Sequence, residues 1–411
     1  MESLSEFLCG GPFSFFNYIE YELNNNIYQV KKPINLSGYQ QHLANNPNSF
    51  EIINLKTGEN SLIEGFVLPE FGNDPSEISL RNYGSIFSKA RSDFKTDNIF
   101  GPQNNDLDLK KKELDIDDSF TKLKQLIVDI YVNDQRNNSI RMEENPNQKT
   151  DWNDFYPTSK ISRFKSAFNS FFEEIKFKTV EINNDILFSK NQKDVKIDKL
   201  STGEKQIVFR GIHLLKNKSL MENSTIFIDE PELSMHPKWQ EKIIEYFKNL
   251  FRFGSEIKAQ LFFATHSDHV LKGAFDNIDE NLIIRLNNNS GNIESEIINS
   301  PSFFPIVTLA ATKYFAYNLC TNDFHIELFS FIQDKINKPK IKDCDTYIAN
   351  HPFFNSAIHS KISSNGTVNY QTLPTLIRNK IHHPTDNLNN FSDDELKTST
   401  ELLLEICKSF P

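Results

Sequence analysis

Two adjacent carboxylates follow a short apolar run in the middle of the chain. The segment TIFIDEPELSMHP (225–237) places Asp229 and Glu230 directly after residues typical of a strand buried on both faces. Side chains of neighbouring strand residues diverge, so one carboxylate can hold Mg²⁺ while the next polarises an attacking water. The alternative is a strand that ends in two solvated acids. It would account for Asp229 and Glu230, but it would not account for the residues that follow them at 231–237.

Two further segments could bind phosphate. LSTGEKQ (200–206) leads into a helical run, where a Ser hydroxyl, unhindered amides and the positive helix end suit an anion. An ordinary helix cap, with Ser201 and Glu204, is the alternative for this segment alone. In FFATHS (262–267), His266 can donate a hydrogen bond to a phosphate, although a lone His at a strand end is usually structural.

The elements around these segments predict a parallel α/β sheet. Residues 200–290 alternate between strand and helix patterns, and the apolar runs 225–228 and 260–264 are each followed by polar residues. Open α/β sheets place ligands at the carboxyl ends of their strands. We therefore expect Asp229, Glu230 and His266 to lie at one sheet edge.

The rest of the chain divides into three further regions. Hairpin patterns at 18–30 and 50–67 are followed by a polar linker near residues 103–112. Two helices are predicted at 120–132 and 159–175, with a loop at 133–156, and the chain turns helical again after residue 300. The predicted domain boundaries are 1–100, 101–195, 196–295 and 296–411.

The three ordered motifs resemble the second lobe of an ABC-type ATPase head of the AAA family, in the SMC-like, RecF-like and OLD-like branch. The resemblance covers about residues 198–275. It implies an α/β fold: an ABC-ATPase-like head with a mixed-sheet lobe one and a parallel α/β lobe two, a helical insertion and a C-terminal helical domain. ATP and Mg²⁺ are the implied cofactors, and a head-to-tail homodimer that sandwiches two ATP molecules is the implied assembly.

The resemblance also implies roles for individual residues. Asp229, in the Walker B position, would coordinate Mg²⁺, Glu230 would be the catalytic base, and His266 would be the switch histidine. The residues implied to contact ATP bound to the partner subunit belong to the signature motif and the D-loop: Ser201, Thr202, Gly203, Glu204, Ser234 and His236.

One expected part, the Walker A loop G-x-x-x-x-G-K-[ST], is missing. None of the 14 glycines is followed by Lys. In the family this loop precedes the hairpins, which here begin near residue 17, and residues 3–8 resemble the tail of an apolar helix. Either the chain lacks its true N-terminus, which the intact lobe two favours, or it is a degenerate head. Without the loop we expect weak ATP binding.

A short motif near the C-terminus suggests a second chemistry. Arg378, Asn379 and His383 match the R-N-x-x-x-H form of the motif of HEPN-type ribonucleases, where Arg steadies phosphate charge and His acts in acid/base catalysis. Such short motifs are common by chance. Capping of a helix that ends at Pro384 is the favoured alternative.

Composition limits the class of protein. The 411 residues carry 45 Lys and Arg against 55 Asp and Glu, a net charge of -10 that argues against a surface coated with basic residues for nucleic acid. A net negative charge is still compatible with a local basic groove that binds nucleic acid. No apolar run spans a membrane, no secretory signal is visible, and four scattered cysteines fit neither disulfides nor zinc. We expect a cytoplasmic protein without a membrane partner.

These features predict an ATP-binding and ATP-hydrolysing protein of anti-phage defence or DNA repair. ATP-driven dimerisation would gate an effector, either the C-terminal region or a separate nuclease partner, and a nucleic acid remains a candidate partner. The alternatives are a pseudo-ATPase that acts as a binding or regulatory module, and a HEPN-type ribonuclease controlled by the head.

Overall fold

The protein is described by a computed structural model that divides into two compact units, Met1–His266 and Ser267–Pro411. The structure describes residues 1–13, 16–33, 38–46, 48–64, 74, 76–88, 101–102, 112–114, 120–144, 159–216, 223–253, 256–289, 292–299, 306–365, 368–385 and 390–410.

The first unit contains both antiparallel and parallel sheets with helices around them. Its helices are α1 (Glu2–Leu8), α2 (Tyr39–Ala44), α3 (Phe120–Glu144), α4 (Lys160–Phe171), α5 (Thr202–Leu214), α6 (Pro237–Gln240) and α7 (Ile243–Leu250). Its strands are β1 (Tyr18–Leu23), β2 (Asn26–Lys31), β3 (Phe50–Asn54), β4 (Asn60–Ile63), β5 (Ser85–Ser88), β6 (Lys112–Leu114), β7 (Ile175–Val180), β8 (Ile186–Lys190), β9 (Lys193–Lys196), β10 (Thr225–Asp229), β11 (Arg252–Phe253), β12 (Glu256–Ile257) and β13 (Gln260–Ala264).

The two predicted hairpins form one antiparallel sheet in the order β1-β2-β3-β4. Residues 65–67 of the second hairpin lie outside the described residues. The sheet packs against α1 in a core that includes Phe7, Val30, Ile52 and Phe227. Because Phe227 belongs to β10, this core joins the antiparallel sheet to the sheet that holds the candidate site.

The parallel sheet has the order β13-β10-β5-β6. Strand β10 pairs in parallel with β13, with Asp229 opposite Ala264, and with β5 on its other side. Strands β10 and β13 form where they were predicted. Ile226, Phe227 and Ile228 of β10 are fully buried. Strand β13 stands at the end of the described strand order and its residues are half-buried or exposed, so the expected burial on both faces is wrong for β13. The sequence did not indicate that β5 pairs with β10, because two of its four residues are serines and it is very short.

Helix α3 extends to Glu144, so the predicted loop at 133–144 is wrong; residues 145–156 lie outside the described residues. The polar second half of the helix is held by tertiary contacts. The buried carboxylate of Asp134 accepts hydrogen bonds from the Ser159 hydroxyl (2.7 Å) and the Ile161 amide (2.8 Å) at the start of α4. Burial raises the pKa of Asp134, and these donors oppose that rise.

A third sheet, in the order β7-β8-β9, leads to the start of α5. Aromatic rings pack its strands against α4, including Phe168 against Phe188 with ring centroids 5.3 Å apart. This packing fixes Lys190 at the end of β8, where its side chain reaches α5.

The second unit is mainly helical and contains two hairpins. Its helices are α8 (Asp268–Phe275), α9 (Leu309–Tyr317), α10 (Asn322–Lys335), α11 (Ile341–Ala349), α12 (Ser356–His359), α13 (Leu373–His382) and α14 (Asp393–Lys408). Its strands are β14 (Ile283–Asn289), β15 (Asn292–Ile298), β16 (Ser360–Asn365) and β17 (Val368–Thr372). Most of the region after residue 300 is helical as predicted, but the hairpin β16-β17 was missed.

No helix in the described ranges is long and apolar enough to cross a membrane. The four cysteines are free thiols. Burial raises the pKa of Cys344 to about 12, so this thiol is protonated at neutral pH.

Candidate functional site

The carboxyl end of β10 carries a backbone held in an unusual conformation. Glu230 follows Asp229 with φ of 40°, a left-handed conformation that non-glycine residues rarely adopt. Its amide donates to the Ala264 carbonyl at 2.9 Å, and its own carbonyl accepts a hydrogen bond from Arg210 at 3.2 Å. Surrounding contacts therefore hold a conformation that costs about 1–3 kcal/mol, an arrangement common at functional sites.

Glu232 joins the turn after β10 to the loop after β13. Its Oε1 accepts from the Thr265 hydroxyl at 2.7 Å and from the His266 amide at 3.2 Å. Its Oε2 atom is buried and has no hydrogen-bond partner among the described residues. Asp229, Glu230 and His266 thus lie at the carboxyl ends of two adjacent strands, and Glu232 fixes the backbone of His266.

The start of α5 is a complete capping box. The Ser201 hydroxyl accepts from the Glu204 amide at 3.4 Å, and the Glu204 carboxylate accepts from the Ser201 amide at 2.8 Å. The other carboxylate oxygen of Glu204 pairs with Lys190 at 2.7 Å, and Glu204 is only 3% exposed. Glu204 therefore positions the helix start, whereas Ser201 and Thr202 are exposed beside it.

Gly203 brings α5 against the turn at 230–236. A Cβ built on Gly203 would lie 2.7 Å from the Ser234 carbonyl oxygen and 3.4 Å from the Trp239 ring. Ser234 is exposed and, like Glu230, has a positive φ, here 62°. The motif at 200–206 and the turn after β10 thus form one continuous surface within the first unit.

His236 ends this turn and starts the next helix. Its Nδ1 accepts from the Lys238 amide at 3.2 Å, which makes it the cap of α6, and the side chain is exposed. The exposed residues of this surface that the sequence analysis selected are Ser201, Thr202, Ser234 and His236.

The donors at the sheet edge suit a metal ion that arrives with phosphate. Within the described ranges, no group of three or more His, Cys, Asp or Glu side chains could hold a metal by itself. Mg²⁺ usually takes one or two protein carboxylates and completes its shell with phosphate oxygens and water. Asp229, half-buried at the end of β10, is suited to be that carboxylate.

The residues of the C-terminal motif lie at the end of α13. Arg378 donates to the amide oxygen of Asn379 at 3.2 Å, and Asn379 is 8% exposed. His383 is the exposed residue that ends the helix. Burial lowers the pKa of Arg378, and burial, Arg378 and His383 together lower the pKa of His382. The ribonuclease assignment stays a prediction.

Sequence reasoning missed four residues of the first site: Lys190, Arg210, Glu232 and Thr265. Glu232 lies within the motif at 225–237, but its partners Thr265 and His266 lie far along the chain. Lys190 and Arg210 are remote in sequence from their partners, and no local pattern marks them.

Known proteins place the chain in a family. Residues 28–272 match the family described as "AAA domain, putative AbiEii toxin, Type IV TA system". No curated protein matches the chain.

Among solved structures, two similarities are distant. A chain from work on ATP-driven dimerization and DNA-stimulated activation of SMC ATPases is 14% identical, with a TM-score of 0.27, over 35% of this chain and 85% of its own. An SMC head bound to the C-winged helix domain of ScpA is 11% identical, with a TM-score of 0.33, over 66% of this chain and 74% of its own.

The family match spans more than half of the chain and contains all three motifs at 200–206, 225–237 and 262–267. The ATPase family indicated by those motifs is thereby confirmed, and membership implies nucleotide binding. The chain belongs to the AAA-domain family of AbiEii-like ATPases.

Proposed function

We propose that the chain contains an ATP-binding and ATP-hydrolysing ABC-like head. The observation that supports this most is the joint arrangement at the ends of β10 and β13. Asp229 and Glu230 follow one strand, His266 follows its parallel neighbour, and Glu232 links the two loops by hydrogen bonds to Thr265 and His266. Such an edge is where open α/β sheets act on ligands.

Each residue at this edge has a distinct proposed task. When bound, Mg²⁺ would neutralise phosphate charge. Asp229 would hold the ion, and Glu230 would accept a proton from the attacking water. His266 would donate a hydrogen bond to the terminal phosphate, and its backbone is already fixed by Glu232.

The surface formed by α5 and the 230–236 turn is proposed to act on a second copy of the chain. Ser201, Thr202, Ser234 and His236 are exposed, and the close approach of Gly203 to Ser234 keeps them together. The positive end of the α5 dipole, beside the exposed Ser201 and Thr202 side chains, suits the phosphates of a nucleotide held by another subunit. A homodimer with two shared nucleotides follows from this proposal.

The biological setting is proposed to be anti-phage defence or DNA repair. The family description names a toxin of a toxin–antitoxin system, which supports defence. In this proposal the two lobes of the head are formed by residues 1–100 and 196–295. The insertion comprises residues 101–195, and the C-terminal domain comprises residues 296–411. Dimer closure would control that domain or a nuclease partner.

One sequence observation favours a different function, a binding module without catalysis. No glycine in the chain is followed by Lys, so no Walker A loop wraps the phosphates in cis. A head of this kind would bind a partner through the same exposed surface and would not turn over ATP.

The experiment compares wild type, Glu230→Gln and the matched control Glu256→Gln, an exposed glutamate of the same unit. Hydrolysis and molar mass in solution are measured with millimolar Mg-ATP, because weak binding is expected. Glu230→Gln should lower the hydrolysis rate by about 100-fold or more and accumulate a dimer, whereas the control should match wild type. Equal behaviour of all three, with no ATP-dependent dimer, would refute the ATPase proposal and favour the binding module.

A further inference from the structure

The second unit contains a cavity that the ATPase proposal does not use. Its volume is about 530 Å³, within the usual range for small-molecule sites. The cavity is lined by Lys338, Asp343, Thr346, Tyr347, Asn350, His351 and Pro352. Three of these residues, Asp343, Thr346 and Tyr347, lie on one face of α11, and three more, at 350–352, follow directly after it.

The approach to the cavity is basic although the chain as a whole is acidic. The eight residues 335–342 contain four lysines and no Asp or Glu, in a protein of net charge -10. Lys338, Lys340 and Lys342 are exposed, and within the described part of the chain none of the three forms an ion pair. This is therefore a local site of positive charge open to an anion.

Aromatic rings line the same cavity as Lys338. Tyr347 and His351 lie in the cavity wall with ring centroids 5.7 Å apart, and Phe353, 49% exposed, lies 5.0 Å from His351. Tyr347 is backed by the ring of Phe410 at 6.2 Å and 15°. Flat aromatic rings that line a cavity are suited to stack on a nucleobase.

We propose that this cavity binds one base of a single-stranded nucleic acid, and that Lys338, Lys340 and Lys342 contact the phosphates beside it. A positive track combined with aromatic platforms is the arrangement by which proteins hold single strands. Asp343, the one carboxylate in the wall, can accept from the exocyclic amine of cytosine or adenine. An unstacked base is required to enter, so duplex is excluded from this site. The proposal does not depend on ATP.

The test uses the 411-residue chain in the absence of ATP. The probes are fluorescein-labelled 12-mers of dC, rC and dT, and binding is measured by fluorescence anisotropy over a range of salt concentrations. Wild type should bind dC and rC several-fold more tightly than dT. The double variant Lys338→Glu with Lys340→Glu should weaken binding about tenfold or more and reduce the salt dependence. Tyr347→Leu should weaken binding about fivefold or more with unchanged salt dependence.

A matched control replaces two lysines by glutamates outside residues 335–353, so that it changes the net charge by the same amount as the double variant. Lys193→Glu with Lys397→Glu alters two exposed lysines remote in sequence from residues 335–353 and should leave the affinity within about twofold of wild type. If Tyr347→Leu fails to fold, His351→Leu tests the same stacking step. The proposal is overturned if wild type binds none of the 12-mers or binds duplex equally well, if the control weakens binding equally, or if poly-glutamate of matched charge competes as well as dC.

Discussion

Gly203 at the start of α5 lies so close to Ser234 in the turn after β10 that a Cβ on Gly203 would be 2.7 Å from the Ser234 carbonyl oxygen. This contact joins two of the three motifs into one surface. Because the obstacle is backbone, it cannot be relieved by rotation of a side chain. The glycine is therefore required for packing as well as for any contact with a nucleotide.

Gly203→Ala should destabilise the first unit by about 1–3 kcal/mol, because the helix start or the turn must shift. Chemical denaturation measures the change. Gly101→Ala is the control, since a Cβ there meets nothing within 4 Å. If both variants were equally stable, the close approach would not exist in solution.

Glu232→Ala should release the loop that contains His266. The variant removes the acceptor of the Thr265 hydroxyl and the His266 amide, and hydrogen bonds to charged groups contribute about 1.5–3 kcal/mol. Hydrogen exchange at the His266 amide should accelerate about tenfold or more. Glu256→Ala, which changes an exposed glutamate of β12, serves as the reference, and unchanged exchange in Glu232→Ala would contradict the proposed link.

Gly211 and Tyr246 should be energetically coupled. A Cβ on Gly211 would lie 2.1 Å from the Tyr246 hydroxyl, which donates to the Ile207 carbonyl at 2.8 Å. Gly211→Ala should cost about 2 kcal/mol or more, despite the better helix propensity of Ala.

In a Tyr246→Phe background the cost of Gly211→Ala should fall below about 1 kcal/mol, because the nearest ring atom is then 3.2 Å away. Urea denaturation of the two single variants and the double variant measures the coupling. Strictly additive free energies would show that α5 and α7 do not meet as described.

His325 should make the protein less stable in mild acid. It is fully buried, its Nε2 lies 2.9 Å from the Ser399 hydroxyl, and burial lowers its pKa to about 3. Between pH 6.5 and 3 the unfolded state binds a proton that the folded state does not, so stability falls as the pH falls.

The expected loss is at most about 1.4 kcal/mol per pH unit in that range. Wild type and His325→Gln are compared by denaturation at pH 7 and pH 5, where wild type should lose about 2 kcal/mol more than the variant. Parallel losses in both proteins would show that another group governs the acid response.

The features of this protein that depend on local pattern could be predicted from its sequence. Apolar runs ending in polar residues predicted β10 and β13 and placed Asp229, Glu230 and His266 together, because parallel strands end at a common edge. Turn residues between alternating strands predicted the hairpins, and Ser201 with Glu204 predicted the helix cap. The family followed from the order of the motifs.

Features that depend on contacts between distant residues could not be predicted from local pattern. Helix α3 continues through a polar stretch because Asp134 accepts hydrogen bonds from the first residues of α4. The short segment β5, half of it serine, is a strand because it pairs with β10. Glu232 was invisible as a link because Thr265 and His266 lie far along the chain. Local propensity is weak compared with burial and with the need to satisfy buried polar groups, and those demands exist only once the chain has folded.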